Sequence, residues 1–270
     1  MQKLPVSVGI LSFKAYKTID ATLTQYRDFL DYFDDAKVFF QTFCDLDKEI
    51  AEKHNVLYLK RDNNIGIQDG IRWVVENAKN DYVLYLENDF HLLHDVNHCV
   101  DEIAKALSLL KEGKIDMMRL RSRFVPGEPY GDLVYTKYFR PQHIHPDFKD
   151  FHKIRKTVPF LRYLRPFKAR RVAASSLYIE EFPEKISPYI KKEDGYYIAD
   201  SCVLNWTNNP TLIGKKLFIE LLDYADRHPS SRTVYGFQDL EKPLNCRWWR
   251  NRHFKIGVCD GIFTHCRLDR

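Results

Sequence analysis

Residues 82–91 read YVLYLENDFH: an unbroken apolar and aromatic run ends abruptly on Glu87, Asn88 and Asp89. A run of that kind fits a strand buried on both faces, which hands whatever follows it to the carboxyl end of a sheet. In an open α/β sheet, ligands bind in the crevice beyond those ends. Two carboxylates placed there suit a divalent cation, Mn²⁺ or Mg²⁺, because hard metals take oxygen ligands and share them with phosphates. The same acids also fit the solvated start of a loop, and Asp89 fits the cap of the next helix.

Working outward, residues 4–121 alternate strand and helix. Residues 5–13 are apolar and β-rich, 36–43 (AKVFFQTF) form a second strand, 56–59 a third and 115–120 a fifth. Between them Ile19, Leu23, Tyr26, Leu30 and Phe33 repeat at helical spacing, as do Ile67, Ile71, Val74, Val75 and Ala78, then Val96, Val100, Ile103, Leu107 and Leu110. A short helix opened by acids is expected over 45–54, and Gly113 ends the helix traced by Val96 to Leu110. Such alternation predicts an α/β fold with a mostly parallel central sheet flanked by helices.

After residue 121 the character changes. A basic, proline-punctuated region at about 126–171 has little periodicity and reads as a long functional loop able to cover a cleft, although disorder also fits. A strand is expected over 171–179, a helix over 210–224, a last helix over 237–250 and a short strand over 254–258 before the tail GIFTHCRLDR.

Composition bounds the class. With 270 residues, 44% hydrophobic and 14% aromatic, the chain has material for one large domain. Its formal charge of +5 is concentrated in 137–171 and 247–270. Such patches attract phosphates, nucleic acid or an anionic membrane surface, or form a solvated face. Six scattered cysteines show no metal spacing, and the four that sit in or beside apolar runs suit buried reduced thiols. The N-terminal apolar run is too short for a signal peptide, and none approaches the ~18 residues of a membrane span. A cytoplasmic setting follows, with peripheral membrane contact through the basic segments.

Several loops at strand ends could meet a nucleotide. Ser12, Phe13 and Lys14 follow the first strand, and Asp45 follows the second, where a carboxylate can accept from a base or a ribose hydroxyl. Asn64 and Gly66 open a helix, and its N-terminus favours an anion. Arg72, two turns on, reaches a phosphate or decorates the surface. Asp239 begins a late helix, as general base or as its cap, with Glu241 behind it. His265 lies in the last strand-like segment, as a metal ligand beside Asp89 or as ordinary surface.

Together these residues resemble the GT-A class of nucleotide-sugar-dependent glycosyltransferases, in particular its broad family-2-like inverting group. The resemblance covers nearly the whole chain as a single domain, with a nucleotide-sugar half at 1–121 and an acceptor-side, catalytic half at 122–270. It implies that Glu87-Asn88-Asp89 stands for the acidic metal motif, with Asp89 the metal ligand and Glu87 and Asn88 beside the donor. Gln238-Asp239 stands for the acidic pair, Gln replacing the first acid, so that Asp239 is the base. His265 matches a late metal-binding histidine. Ser12, Phe13, Lys14, Asp45, Asn64, Gly66 and Arg72 would line the donor, a UDP-sugar, and a carbohydrate or glycoconjugate hydroxyl would accept the sugar with inversion.

Two rivals remain. A sugar nucleotidyltransferase resembles its relatives in a glycine-rich, arginine-containing loop after the first strand, and residues 11–16 (LSFKAY) have neither residue. A non-enzymatic nucleic-acid binder would use stacking aromatics beside cations. No compact nucleic-acid motif is present, so nucleic acid is not an expected partner.

Overall fold

A computed structural model describes residues 3–127, 132–145, 160–231, 233, 234 and 236–269. Its strands are β1 (Leu4–Phe13), β2 (Phe33–Gln41), β3 (Tyr58–Arg61), β4 (Tyr82–Glu87), β5 (Phe90–Leu92), β6 (Met117–Arg121), β7 (Ile190–Glu193), β8 (Tyr196–Asp200), β9 (Thr211–Gly214) and β10 (Lys255–His265). Helices are α1 (Tyr16–Tyr26), α2 (Asp45–Lys53), α3 (Gly66–Glu76), α4 (Val96–Lys111), α5 (Leu161–Leu164), α6 (Pro166–Val172), α7 (Lys215–Arg227), α8 (Glu241–Leu244) and α9 (Arg247–Arg252).

All ten strands join one sheet, ordered β3-β2-β1-β4-β9-β6-β10-β8-β7, with β5 paired to β10. Strands β1 to β4 pair in parallel, as do β6 and β10, while β9 runs against both β4 and β6. Strand β4 shows why its apolar run is continuous. Val83 and Tyr85 enter one core with α3 and α7, whereas Leu84 and Leu86 enter the other with α1 and α4. Both faces are therefore covered, and each helix buries one stripe of its periodic apolar residues.

The second half departs from expectation in several places. The strand expected over 171–179 is the end of α6 followed by a 3₁₀ run, Ala173–Tyr178. Its Ala-Ala-Ser-Ser core has no β-branched residue to favour extension, and Ser176 O accepts from both Ile179 N and Glu180 N. The helix expected from residue 210 begins only at Lys215, because Thr211, Leu212 and Ile213 are buried between β4 and β6 as β9. The expected helix over 237–250 is two short ones, broken where Cys246 is extended. Near the start, α1 stops at Tyr26, so Leu30 lies in a 3₁₀ turn and Phe33 opens β2. Of the region 126–171, expected to be a long functional loop, residues 128–131 and 146–159 lie outside the described residues.

Strand β10 is far longer than the expected 254–258. It pairs with β6 and β8 through Val258, then its register shifts and Phe263 to His265 pair with β5. Gly261 makes the bend possible: its φ is +85°, and a Cβ there would stand 2.4 Å from Arg121 O. The bend turns His265 toward the loop that follows β4.

Candidate active site

The acidic loop is fixed from three sides. Asn88 N donates to Leu11 O at 3.0 Å, Thr22 Oγ1 donates to Asn88 O at 2.6 Å, and Tyr26 Oη donates to Phe90 O at 2.6 Å. The tail closes over it, with Cys266 N donating to Asp89 O at 2.7 Å. Asp269 then accepts from Thr18 N at 2.8 Å, tying the chain's last described residues to the start of α1.

These anchors bring Asp89 Oδ2 to 3.0 Å from His265 Nε2, with both side chains largely buried. Asp89 Oδ1, Asn88 Nδ2 and His265 Nδ1 are buried and have no hydrogen-bond partner among the described residues. Unpaired polar atoms are expensive to bury, so their gathering at one place marks a site built for something else. Adjacent ligands of a hexacoordinate Mg²⁺-sized ion at 2.0–2.1 Å lie about 3 Å apart, so the Asp89–His265 spacing fits two ligands of one cation. His91 stands alongside, its pKa lowered by burial.

A cavity of about 450 Å³ opens over this loop. Leu11, Phe13, Gln41, Asn64, Gly66, Ile67, Glu87, Asn88, Asp89, Val234, Phe237 and Arg267 line it. The carboxyl of Glu87 is pushed up to about 8 by burial first, then by Asp89, Glu241 and Asp239, with Arg267 opposing. Glu241 is also raised, mainly by burial. Four carboxylates therefore share one electrostatic neighbourhood, which is costly without a cation. Asp239 is held by two donors on a single oxygen: Asn208 Nδ2 and Glu241 N each lie 3.1 Å from Oδ1.

Of the sequence-derived residues, Phe13, Asn64, Gly66, Glu87, Asn88 and Asp89 line the cavity; His265 and Asp239 do not, His265 meeting Asp89 at 3.0 Å and Asp239 acting on Glu87 through its charge. Ser12 is buried, its hydroxyl unpartnered among the described residues, and Lys14 is exposed with a strained backbone at φ +46°; neither lines the cavity. Asp45 is exposed at the start of α2 and is not among the cavity's lining residues. Arg72, expected to line the donor, does not line the cavity: its guanidinium is bound to α7, 3.0 Å from Asp223 and 2.6 Å from Asp226, so it braces α3 on α7. Gln238 shapes the loop instead of acting as an acid, bonding Ser230 N and O at 3.0 and 3.1 Å.

Two residues escaped the sequence. Gln41 accepts from Ile65 N at 2.7 Å and donates to Gly66 O at 3.3 Å, setting the turn that opens α3. Arg267 is the cation on the cavity wall. Its only signal was its place two residues after His265. A larger hollow of about 600 Å³ lies at the opposite ends of β6 and β10. Beside it Asp200, Cys202 and His253 bring potential ligand atoms within 4.8 Å of one another, remote from the acidic loop.

The whole architecture is similar to that of PcManGT, a mannosyltransferase from Pyrobaculum calidifontis solved in complex with GDP-Man and Mn²⁺. The TM-score is 0.51 at 10% identity, over 100% of this chain and 59% of that one. It is also similar to residues 1–349 of TarS from S. aureus, at TM-score 0.48 and 12% identity, over 98% of this chain and 60% of that one. The chain thus spans about 60% of the length of the proteins it resembles. No protein-family profile matches it, and no curated protein sequence does. The protein has the GT-A fold of glycosyltransferases, as the resemblance had implied. Among the described residues no helix is long and apolar enough to cross a membrane.

Proposed function

We propose that this protein is a metal-dependent glycosyltransferase that moves a sugar from a nucleotide-diphosphate donor to an acceptor hydroxyl with inversion. The observation that supports this best is Asp89 facing His265 at a cavity that Glu87 also lines, with the charges of Asp239 and Glu241 acting on Glu87. A divalent cation held by Asp89 and His265 would neutralise charge on the leaving diphosphate as a Lewis acid. Phe13, Asn64 and Gly66 would hold the nucleotide, with Ser12, Lys14 and Asp45 around them. Asp239 would take the acceptor's hydroxyl proton. Because both donors to Asp239 sit on Oδ1, the proton goes to Oδ2. The acceptor oxygen then bonds to the anomeric carbon as the bond to the diphosphate breaks on the opposite face.

The donor is read as a UDP-sugar and the acceptor as a carbohydrate or glycoconjugate, with the protein in the cytoplasm against a membrane. The mannosyltransferase's GDP-Man makes GDP the competing nucleotide. A melting screen with UDP, GDP, dTDP and CMP, each with and without Mn²⁺, tests donor and metal together. A ligand at 100 times its Kd stabilises the fold by about 2.7 kcal/mol. Selective stabilisation by one diphosphate, only with Mn²⁺, is expected; no response to any of them would overturn the proposal.

A further inference from the structure

Residues 160–171 read FLRYLRPFKARR and fold as α5 and α6, which meet around Pro166. Ten large hydrophobic side chains are exposed among the described residues, and four fall within these few positions: Phe160 (61% exposed), Tyr163 (68%), Leu164 (61%) and Phe167 (82%). The remaining six are scattered, and scattered singles need no explanation, whereas a contiguous exposed apolar patch marks a binding surface. The patch has a firm base. Ala169 and Val172 are buried against Tyr135, Tyr138 and Ile179, and Arg170, itself exposed, lies over the Tyr189 ring at 4.1 Å.

Charge names the partner. Arg162, Arg165, Lys168 and Arg171 interleave with the exposed apolar residues, and no acid occurs from residue 160 to 179. Arg162 lies over the Tyr163 ring at 4.7 Å, so cation and aromatic form one element of surface. We infer that α5 and α6 dock this protein on an anionic lipid bilayer. Phe160, Leu164 and Phe167 enter the boundary between headgroups and acyl chains, Tyr163 sits at headgroup level, and the cations pair with lipid phosphates. Leu164 supplies exposed aliphatic volume with no face on which a base could stack, which favours lipid over single-stranded nucleic acid. The inference names the segment that makes the membrane contact and is independent of the transfer chemistry, since none of these residues lines the acidic cavity.

Co-sedimentation of the full chain with vesicles of phosphatidylcholine alone, or of phosphatidylcholine mixed with phosphatidylglycerol, tests it. Binding to the mixed vesicles only, weakening as salt rises, is expected. Leu164→Ser with Phe167→Ser should weaken that binding at least tenfold. Arg162→Gln with Lys168→Gln should weaken it by about thirtyfold, at roughly 1 kcal/mol per cation. All four side chains are exposed, so circular dichroism and melting should match the wild type, and nucleotide-induced stabilisation should persist. Failure to bind either vesicle, equal binding to both, or full binding by the serine variant would overturn the inference. So would a dimer dissolved by the serine substitutions without vesicle binding, or single-stranded nucleic acid displacing the vesicles at matched salt.

Discussion

His265 Nε2 sits 3.0 Å from Asp89 Oδ2, although one residue ends β10 and the other follows β4. The contact exists because β10 bends at Gly261, pairs with β5 and places Cys266 N on Asp89 O. If these two side chains share a cation, Asp89→Ala and His265→Ala should each remove the Mn²⁺-dependent part of nucleotide stabilisation. Thermal shift checks this. A retained Mn²⁺ response in both variants would mean that the cation binds elsewhere, and the Asp200, Cys202 and His253 group would be the next place to look.

Asp239→Asn should abolish sugar transfer and leave nucleotide binding intact, because the amide keeps an oxygen for the Asn208 and Glu241 donors but cannot take a proton. A loss in kcat of at least a hundredfold is expected, within the roughly 10²–10⁴ typical of general bases. Product formation and donor-induced melting, measured on the same preparation, separate the two roles. Full transfer by the variant would remove Asp239 from the mechanism.

Gly66→Ala should damage the site and the fold together. Gly66 has φ +82°, and a Cβ would stand 2.4 Å from Phe237 Cβ on the cavity wall. A left-handed non-glycine costs about 1–3 kcal/mol before the clash is counted. Chemical denaturation should show that loss, and nucleotide affinity should fall as Phe237 is displaced. Unchanged stability and affinity would show that the turn relaxes freely.

Asp35 carries a pH prediction far from the cavity. Burial pushes its carboxyl up, but Lys37, Ser7 Oγ and Lys79 N outweigh that and hold it below the usual carboxylate range. The folded state therefore binds its proton less readily than the unfolded chain, and the stabilisation is present above the unfolded value and lost as pH falls through the folded one. Asp35→Asn should destabilise the protein at pH 7 by about 1–3 kcal/mol, the cost of an imperfectly paired buried group. The gap between variant and wild type should shrink below about pH 3.8. Melting curves across that range check it, and a constant gap would contradict it.

The first half of the fold was legible in residues 4–121 because long apolar runs and helical stripes there answer to a single choice of burial. Val83 to Leu86 alternate between two cores that are both deep, so their hydrophobicity alone announced a central strand. Thr211, Leu212 and Ile213 gave no such notice, since three apolar or β-branched residues ahead of an amphipathic helix look like its first turn. Only the slot between β4 and β6 makes them a strand. Asp89, Asp239 and His265 were legible as types in order. Arg72 was not, because a cation two turns into a helix carries no sign of which neighbour claims it, and the Asp223–Asp226 pair on α7 decides that. Gln41 was invisible for the opposite reason: a neutral side chain ending a strand advertises no chemistry, yet it sets the α3 turn.

The late arrival of β9 and β10 has a consequence for biogenesis. Strand β6 has β9 on one side and β10 on the other, so during synthesis it must wait, both edges bare, for segments that emerge much later. Such distant pairings are slow to form, and unpaired edges invite association with other nascent chains. Production should therefore respond to slower translation or to chaperones that shield strand edges, and shortening the chain before β9 should yield aggregates instead of a smaller working fold.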